Sequence, residues 1–254
     1  MNHAAHKGGI AATRRDFLAA GFGAALAASS VEWTAALAAE RNMTDDAPLH
    51  YRTLVDVASE IRAGKLSPVE LTKAMLARID ALEPRLHAYY TVSPERALAA
   101  ADKAQREIAA GRYLGPLHGV PIAVKDLCFT AGVRTTGGSA VRRDFVPTFD
   151  ATVVRRLEAA GAVLLGKLAT TEGAMAGYNP EFEVPRNPWG EELWPGVSSG
   201  GSGVGVGGGL CFAALGTDTG GSIRYPSGMN GIVGLKPTWG RVSRYGVLDL
   251  APSL

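Results

Sequence analysis

The sequence predicts an α/β fold built on a largely parallel sheet. Three observations carry this expectation. Residues 120–124 and 162–165 are short, apolar and β-branched, the pattern of buried strands. Between them, from Asp150 through Val153, Val154 and Leu157 to Gly161, the apolar spacing is helical. Strand, helix and strand in that order give parallel neighbours. The third observation is a long helix-forming region, residues 49–110, ahead of the first strand.

Taken in order, Ser67-Pro68-Val69-Glu70 is a helix-opening signature, with a capping serine, proline in the first turn and glutamate three residues after the cap. Leu71, Met75, Ile79 and Leu82 then share one helical face, and Pro84 is expected to close the helix. Ser93-Pro94-Glu95 opens an alanine-rich helix running to about Gly111. Neither helix carries a cluster of catalytic residue types, so both read as packing elements. Strand 120–124 ends in Lys125-Asp126, Asp150 is a cap candidate for the next helix, and Gly166 ends strand 162–165. Asn187-Pro188-Trp189-Gly190 is a turn. Apolar runs follow at 212–215 and 232–235. No internal repeat occurs, and no linker splits residues 49–254.

With 46% hydrophobic and 20% charged residues among 254, the composition is globular and not that of a disordered chain. A net charge of +2 gives no electrostatic footprint for nucleic acid. The two cysteines, Cys128 and Cys211, form no Cys-x-x-Cys pair and lie in apolar surroundings, so they read as buried free thiols.

The N-terminus reads as a leader. Thr13-Arg14-Arg15-Asp16-Phe17-Leu18 has a twin-arginine pattern, residues 17–31 are uncharged, and Ala36-Leu37-Ala38 offers small residues to a signal peptidase. Residues 1–38 therefore resemble a twin-arginine export signal, which implies the export machinery as a partner and a periplasmic or secreted destination. The uncharged stretch falls short of the roughly 20 residues that span a bilayer, so no stable membrane anchor is expected.

Glycine is abundant, 32 residues, and 11 of them fall within residues 196–221 beside Ser198, Ser199, Ser202 and Ser222. Three chemistries compete for this cluster. Residues 203–208 match G-x-G-x-x-G, but no strand-like segment precedes them as a phosphate-binding turn requires. Residues 196–200 match G-x-S-x-G, but an α/β-hydrolase triad needs a histidine after the serine, and His3, His6, His50, His87 and His118 all come before it. The third is a serine nucleophile served by a lysine made neutral by burial. Lys125, at the end of the most apolar strand, is placed for that, and Gly220-Gly221-Ser222 offers unobstructed backbone N–H groups for an oxyanion.

At these residues the chain resembles the amidase signature family. The resemblance runs through Gly196-Val197-Ser198-Ser199-Gly200-Gly201-Ser202, residues 215–224, Gly234-Leu235-Lys236-Pro237-Thr238 and Gly240-Arg241-Val242-Ser243. Upstream it includes residues 115–121, Val124-Lys125-Asp126, Gly166-Lys167 and Arg186-Asn187-Pro188-Trp189, covering about residues 55–254 in all. It implies a mixed, largely parallel sheet packed between helices, and an amidohydrolase acting on linear carboxamides through a Ser–Ser–Lys set. By that resemblance Ser222 is the acyl-forming nucleophile, Ser198 the bridging serine on a cis peptide bond, and Lys125 the base. The backbone N–H groups of Thr219, Gly220, Gly221 and Ser222 form the oxyanion hole. Ser199 and Ser202 read as structural hydrogen-bonding residues, Asp218 and Arg224 as a pair fixing the nucleophile loop, and residues 172–179 as candidates for the acyl pocket. No metal or organic cofactor is implied.

Family members usually carry glycine where Val197 stands, and they are considerably longer. Residues 39–254 are therefore expected to be the N-terminal part of an amidase signature domain, C-terminally incomplete. Implied partners are a small-molecule amide and, as an option, a second copy in a homodimer. Two other readings stay open. One is a catalytically inactive remnant acting at most as a binding or assembly piece. The other is a nucleotide-binding module using residues 203–208. The leader argues against the cytoplasmic tRNA amidotransferase branch of the family.

Overall fold

A computed structural model describes residues 47–175 and 177–251. The leader reading of residues 1–38 lies outside them. The sheet has four strands in the order β1-β3-β2-β4: β1 (Tyr89–Val92), β2 (Pro121–Lys125), β3 (Val163–Leu168) and β4 (Ala214–Leu215). β2 runs parallel to both β3 and β4, while β1 is antiparallel to β3. The sheet is thus mixed and mostly parallel, with helices around it. Every residue of β2 and β3 is buried, as expected for central parallel strands covered on both faces.

The helices follow from their patterns. α1 (Leu54–Arg62) is capped by Thr53 Oγ1, which accepts from Asp56 N–H at 3.2 Å. α2 (Pro68–Leu86) is capped by Ser67 Oγ, which accepts from Glu70 N–H at 3.1 Å, and it buries Leu71, Met75, Ile79 and Leu86. α3 (Pro94–Ala109) faces inward with Ala97, Ala101 and Ala104, whose small side chains let it lie close to α2 and β3. α4 (Thr152–Ala159) is the crossover from β2 to β3, burying Val153 and Val154. α5 (Gly200–Gly207) packs on β2, β3, β4 and the short α6 (Arg224–Met229).

Several expectations are corrected. Residues 49–110 are not helical throughout, because Tyr89–Val92 pairs with β3 as an edge strand. Pro84 does not close α2; it sits inside the last turn, and the helix ends where His87 adopts a left-handed conformation. Asp150 does not cap α4. Its Oδ1 instead accepts from Ala131 N–H at 2.8 Å, and Ala151 holds the cap position. Gly166 does not end β3, which continues to Leu168. A side chain at Gly166 is excluded, since its Cβ would lie 2.2 Å from Thr91 O on the paired strand. Residues 203–208 lie in α5 and its end, so they do not form a phosphate-binding turn. Cys128 and Cys211 are buried free thiols, as expected.

Two buried polar groups fix the ends of β2. His118 Nδ1 accepts from Leu114 N–H at 3.1 Å and Nε2 lies 3.1 Å from Glu107 Oε2, tying the turn before β2 to α3. At the other end, Asp126 and Lys167 are fully buried with Nζ 3.6 Å from Oδ1. Asp126 Oδ2 accepts from Thr136 N–H at 2.8 Å, Thr136 Oγ1–H at 2.6 Å and Gly137 N–H at 3.0 Å. Lys167 Nζ donates to Cys128 O and to Thr135 Oγ1, each at 2.6 Å. Burial pushes the carboxyl up and the ammonium down, and their mutual attraction opposes both shifts.

Removing one partner strands the other charge in the interior, a loss of about 3–5 kcal/mol. The two single variants then respond oppositely to pH. In Lys167→Met the lone Asp126 has a raised folded-state pKa, so stability falls as pH rises. In Asp126→Asn the lone Lys167 has a lowered one, so stability is lost as pH falls. Urea unfolding between about pH 5 and 8 is expected to show these opposite slopes, and the double variant neither. Equal slopes for the two single variants would contradict the pairing.

Candidate active site

The site forms where β2 and β4 end beside the start of α5. Lys125 is the last residue of β2 and is wholly buried. Its Nζ reaches Ser198 Oγ at 2.7 Å, Thr217 Oγ1 at 2.9 Å and Ser199 Oγ at 3.0 Å. The hydroxyls arrive from two places. Ser198 and Ser199 precede α5, whereas Thr217 lies two residues beyond β4, whose register pairs Leu215 with Val124. The Val197–Ser198 peptide bond is cis. Ser199 also ties the two segments together, its Oγ accepting from Thr217 N–H at 3.3 Å and donating to Thr217 O at 3.2 Å.

Glycine at 201 makes this approach possible. A Cβ there would lie 2.4 Å from Ala169 N and 2.5 Å from Ala88 O, backbone atoms that have nowhere to go. With hydrogen in that place, Gly201 N–H donates to Ala169 O at 3.0 Å and α5 is locked against the end of β3. Thr171 N–H donates to Ser198 O at 3.3 Å, so the segment after β3 also holds Ser198.

Burial lowers the Lys125 ammonium from its ordinary value to about 7, against the upward pull of the Asp218 carboxylate. The Cys128 thiol is itself pushed up to about 11 by burial, so it supplies no negative charge near neutrality. Hydroxyls are suitable neighbours for such an amine. They accept from an ammonium or donate to a neutral amine, and they bring no charge that would restore the ordinary pKa.

Ser222 reaches this cluster through its backbone, its carbonyl accepting from Ser199 N–H at 3.3 Å. Among the described residues no hydrogen bond joins Ser222 Oγ to Ser198 Oγ. The loop carrying Ser222 is built around Asp218. That carboxylate accepts from Gly221 N–H at 2.8 Å, Ile223 N–H at 3.1 Å and Arg224 N–H at 3.3 Å. Arg224 closes the arrangement with a forked pair, Nε to Oδ2 at 3.0 Å and Nη2 to Oδ1 at 2.9 Å. Burial pushes the Asp218 carboxyl up, but Arg224 and the three N–H groups hold it well below the usual carboxylate range.

Gly221 N–H is therefore committed to Asp218. The N–H groups of Thr219, Gly220 and Ser222 have no acceptor among the described residues. Thr217 escaped the sequence reading as a lysine partner. The available signal was its place as the first hydroxyl after an apolar strand ending level with β2.

A family model described as Amidase matches residues 70–254. A putative amidase AmiD from Mycobacterium tuberculosis is 56% identical over 200 residues, covering 79% of this chain and 42% of that protein. A glutamyl-tRNA(Gln) amidotransferase subunit from Geobacter metallireducens is 50% identical over 204 residues, covering 80% of this chain and 42% of its own length. Among solved structures, native peptide amidase from Stenotrophomonas maltophilia superposes with a TM-score of 0.76 at 41% identity, over 80% of this chain and 44% of that one. A fatty acid amide hydrolase superposes with a TM-score of 0.75 at 29% identity, over 79% and 36%. The chain thus spans less than half the length of these relatives. Over the part it does span, profile, sequence and fold agree, and the chain belongs to the amidase family.

Proposed function

We propose that this chain carries the catalytic lysine and serines of an amidase that cleaves the C–N bond of a linear carboxamide through a serine acyl-enzyme. The observation that carries the reading is the Lys125 amine, buried and lowered to about 7, at 2.7 Å from Ser198 Oγ. A neutral Lys125 accepts a proton from Ser198, which takes one from Ser222 as its oxygen attacks the carbonyl carbon. The resulting oxyanion is received by backbone N–H groups. Thr219 and Gly220 suit this best, since Gly221 N–H must first leave Asp218. Collapse breaks the C–N bond, with the proton returning from Lys125 through Ser198 to the leaving amine. Water then attacks the Ser222 ester by the same relay and releases the carboxylic acid. A carboxamide and water thus become a carboxylic acid and an amine, with no net change in protons on the protein. The rival reading, an inactive binding or assembly piece, retains the fold without this reactivity.

A fluorophosphonate probe separates the two. It is expected to label Ser222, to fail in Ser222→Ala, and to slow by about 100-fold or more in Lys125→Met. Because the neutral amine is the active form, the labelling rate falls as pH drops through about 7. A rate independent of pH across that value, or label on another residue, would sink the assignment.

We further propose that residues 1–38 direct export through the twin-arginine machinery, on the pattern Arg14-Arg15 followed by an uncharged stretch. Cell fractionation is expected to find the shortened chain outside the cytoplasm. Arg14→Lys with Arg15→Lys is expected to keep it inside at full length. A cytoplasmic wild-type chain that retains Met1 or Asn2 overturns this reading. The described residues contain no helix long and apolar enough to cross a membrane.

A further inference from the structure

The segments that carry Ser198 and Ser222 come from different parts of the chain, and two buried asparagines join them. Asn230 is wholly buried and Asn187 is 3% exposed. Asn230 Nδ2 donates to Pro195 O and to Pro226 O, both at 2.8 Å. Asn187 Nδ2 donates to Trp194 O at 3.2 Å and to Met229 O at 2.8 Å. Trp194 and Pro195 lead into Ser198, whereas Pro226 and Met229 belong to α6, which follows Ser222. Each amide thus bridges one carbonyl of the Ser198 segment and one of α6. Trp189 couples the two bridges. Its backbone N–H donates to Asn187 Oδ1 at 3.0 Å, and its indole Nε1–H donates to Asn230 O at 2.9 Å.

The amide nitrogen is the part of asparagine that can donate twice, so the facing carbonyls fix which way each side chain points. For Asn230 this leaves Oδ1 buried without a hydrogen-bond partner among the described residues. A buried acceptor is normally satisfied, so Asn230 holds its bridge against a local preference to turn elsewhere. The joined segments also meet directly. Gly196 has a φ of +78°, and a Cβ there would lie 2.6 Å from Pro226 Cα. Ser199 N–H donates to Ser222 O at 3.3 Å, which is long for such a bond. The four amide bonds are shorter on the whole and lie on both sides of that contact in sequence.

We infer that Asn187 and Asn230 are positioning residues that together set the separation between the Ser198 segment and the Ser222 loop. Among the described residues neither side chain hydrogen-bonds Lys125, Ser198 or Ser222, so both act through the backbone. Groups that must pass a proton are sensitive to such a separation, since a displacement of about 1 Å can slow a reaction by about 100-fold. The consequence for catalysis rests on the function proposed above, whereas the separation itself does not.

The test removes the donors with a side chain of similar size, as Asn230→Leu and Asn187→Leu. Amide hydrogen exchange, read by NMR, is expected to quicken at Ser199 by about tenfold or more while the amides of β2 and β3 keep their protection. The maximal rate of fluorophosphonate labelling at Ser222 is expected to fall by about tenfold or more, with the probe concentration for half that rate unchanged. In a Ser198→Ala background the relay is already absent, so Asn230→Leu is expected to add no further loss. Asn230→Ser restores one donor and is expected to fall between the wild type and Asn230→Leu in both readouts. It also replaces Asn230→Leu if that variant does not fold. Unchanged Ser199 exchange in a folded variant overturns the proposal. So does an equal labelling loss in the Ser198→Ala background, or protection lost throughout β2 and β3 in Asn230→Ser as well, either of which would reduce the asparagines to general supports of the fold. A wild-type chain that does not label at Ser222 removes the proposed chemistry, and Ser199 exchange then decides the separation alone.

Discussion

The structure depends on keeping water away from one amine. Lys125 Nζ sits at the end of a fully buried strand, where only three hydroxyl groups satisfy it. A few ångströms of rearrangement would admit solvent and return it to an ordinary charged lysine. Lys167 on the neighbouring strand shows the alternative. It is equally buried, but Asp126 lies 3.6 Å away and opposes the loss of its charge. Two lysines, one residue out of register across β2 and β3, thus have opposite tasks set by their partners. The carboxylate-paired one holds the loop after β2, and the hydroxyl-paired one has no carboxylate against it, with burial lowering it to about 7.

The same economy organises the Ser222 loop. Its single carboxylate, Asp218, gathers backbone N–H groups of Gly221, Ile223 and Arg224, and Arg224 neutralises it from the solvent side. Its charge still pulls the basicity of Lys125 upward, but burial of the amine outweighs that pull.

Much of this was legible in the sequence where local pattern and local structure coincide. Ser67 with Glu70 gave the start of α2, Leu71, Met75 and Ile79 its inward face, and residues 120–124 the strand that ends at Lys125. The motif around Ser198 and Ser222 pointed to the Asp218–Arg224 pairing. What escaped depends on distant partners. Tyr89–Val92 is a strand only because β3 lies beside it, since four residues between two helices carry no usable period. Thr217 meets Lys125 through the register of β4 against β2. The commitment of Gly221 N–H to Asp218 is a matter of loop geometry that residue types do not encode.

The glycine-rich α5 has a consequence for what the site depends on. Five of its eight residues are glycine, each less favourable in a helix than alanine by about 1 kcal/mol. So short and glycine-rich a segment has no helical stability of its own. It exists because Ala169, Leu168 and Pro226 offer surfaces that only glycine approaches so closely. Those surfaces belong to β3 and α6, so α5 depends on both for its stability. Ser198 and Ser199 are positioned by it. Without α5 docked, the hydroxyls of Ser198 and Ser199 would not be held against Lys125, and its burial would be lost.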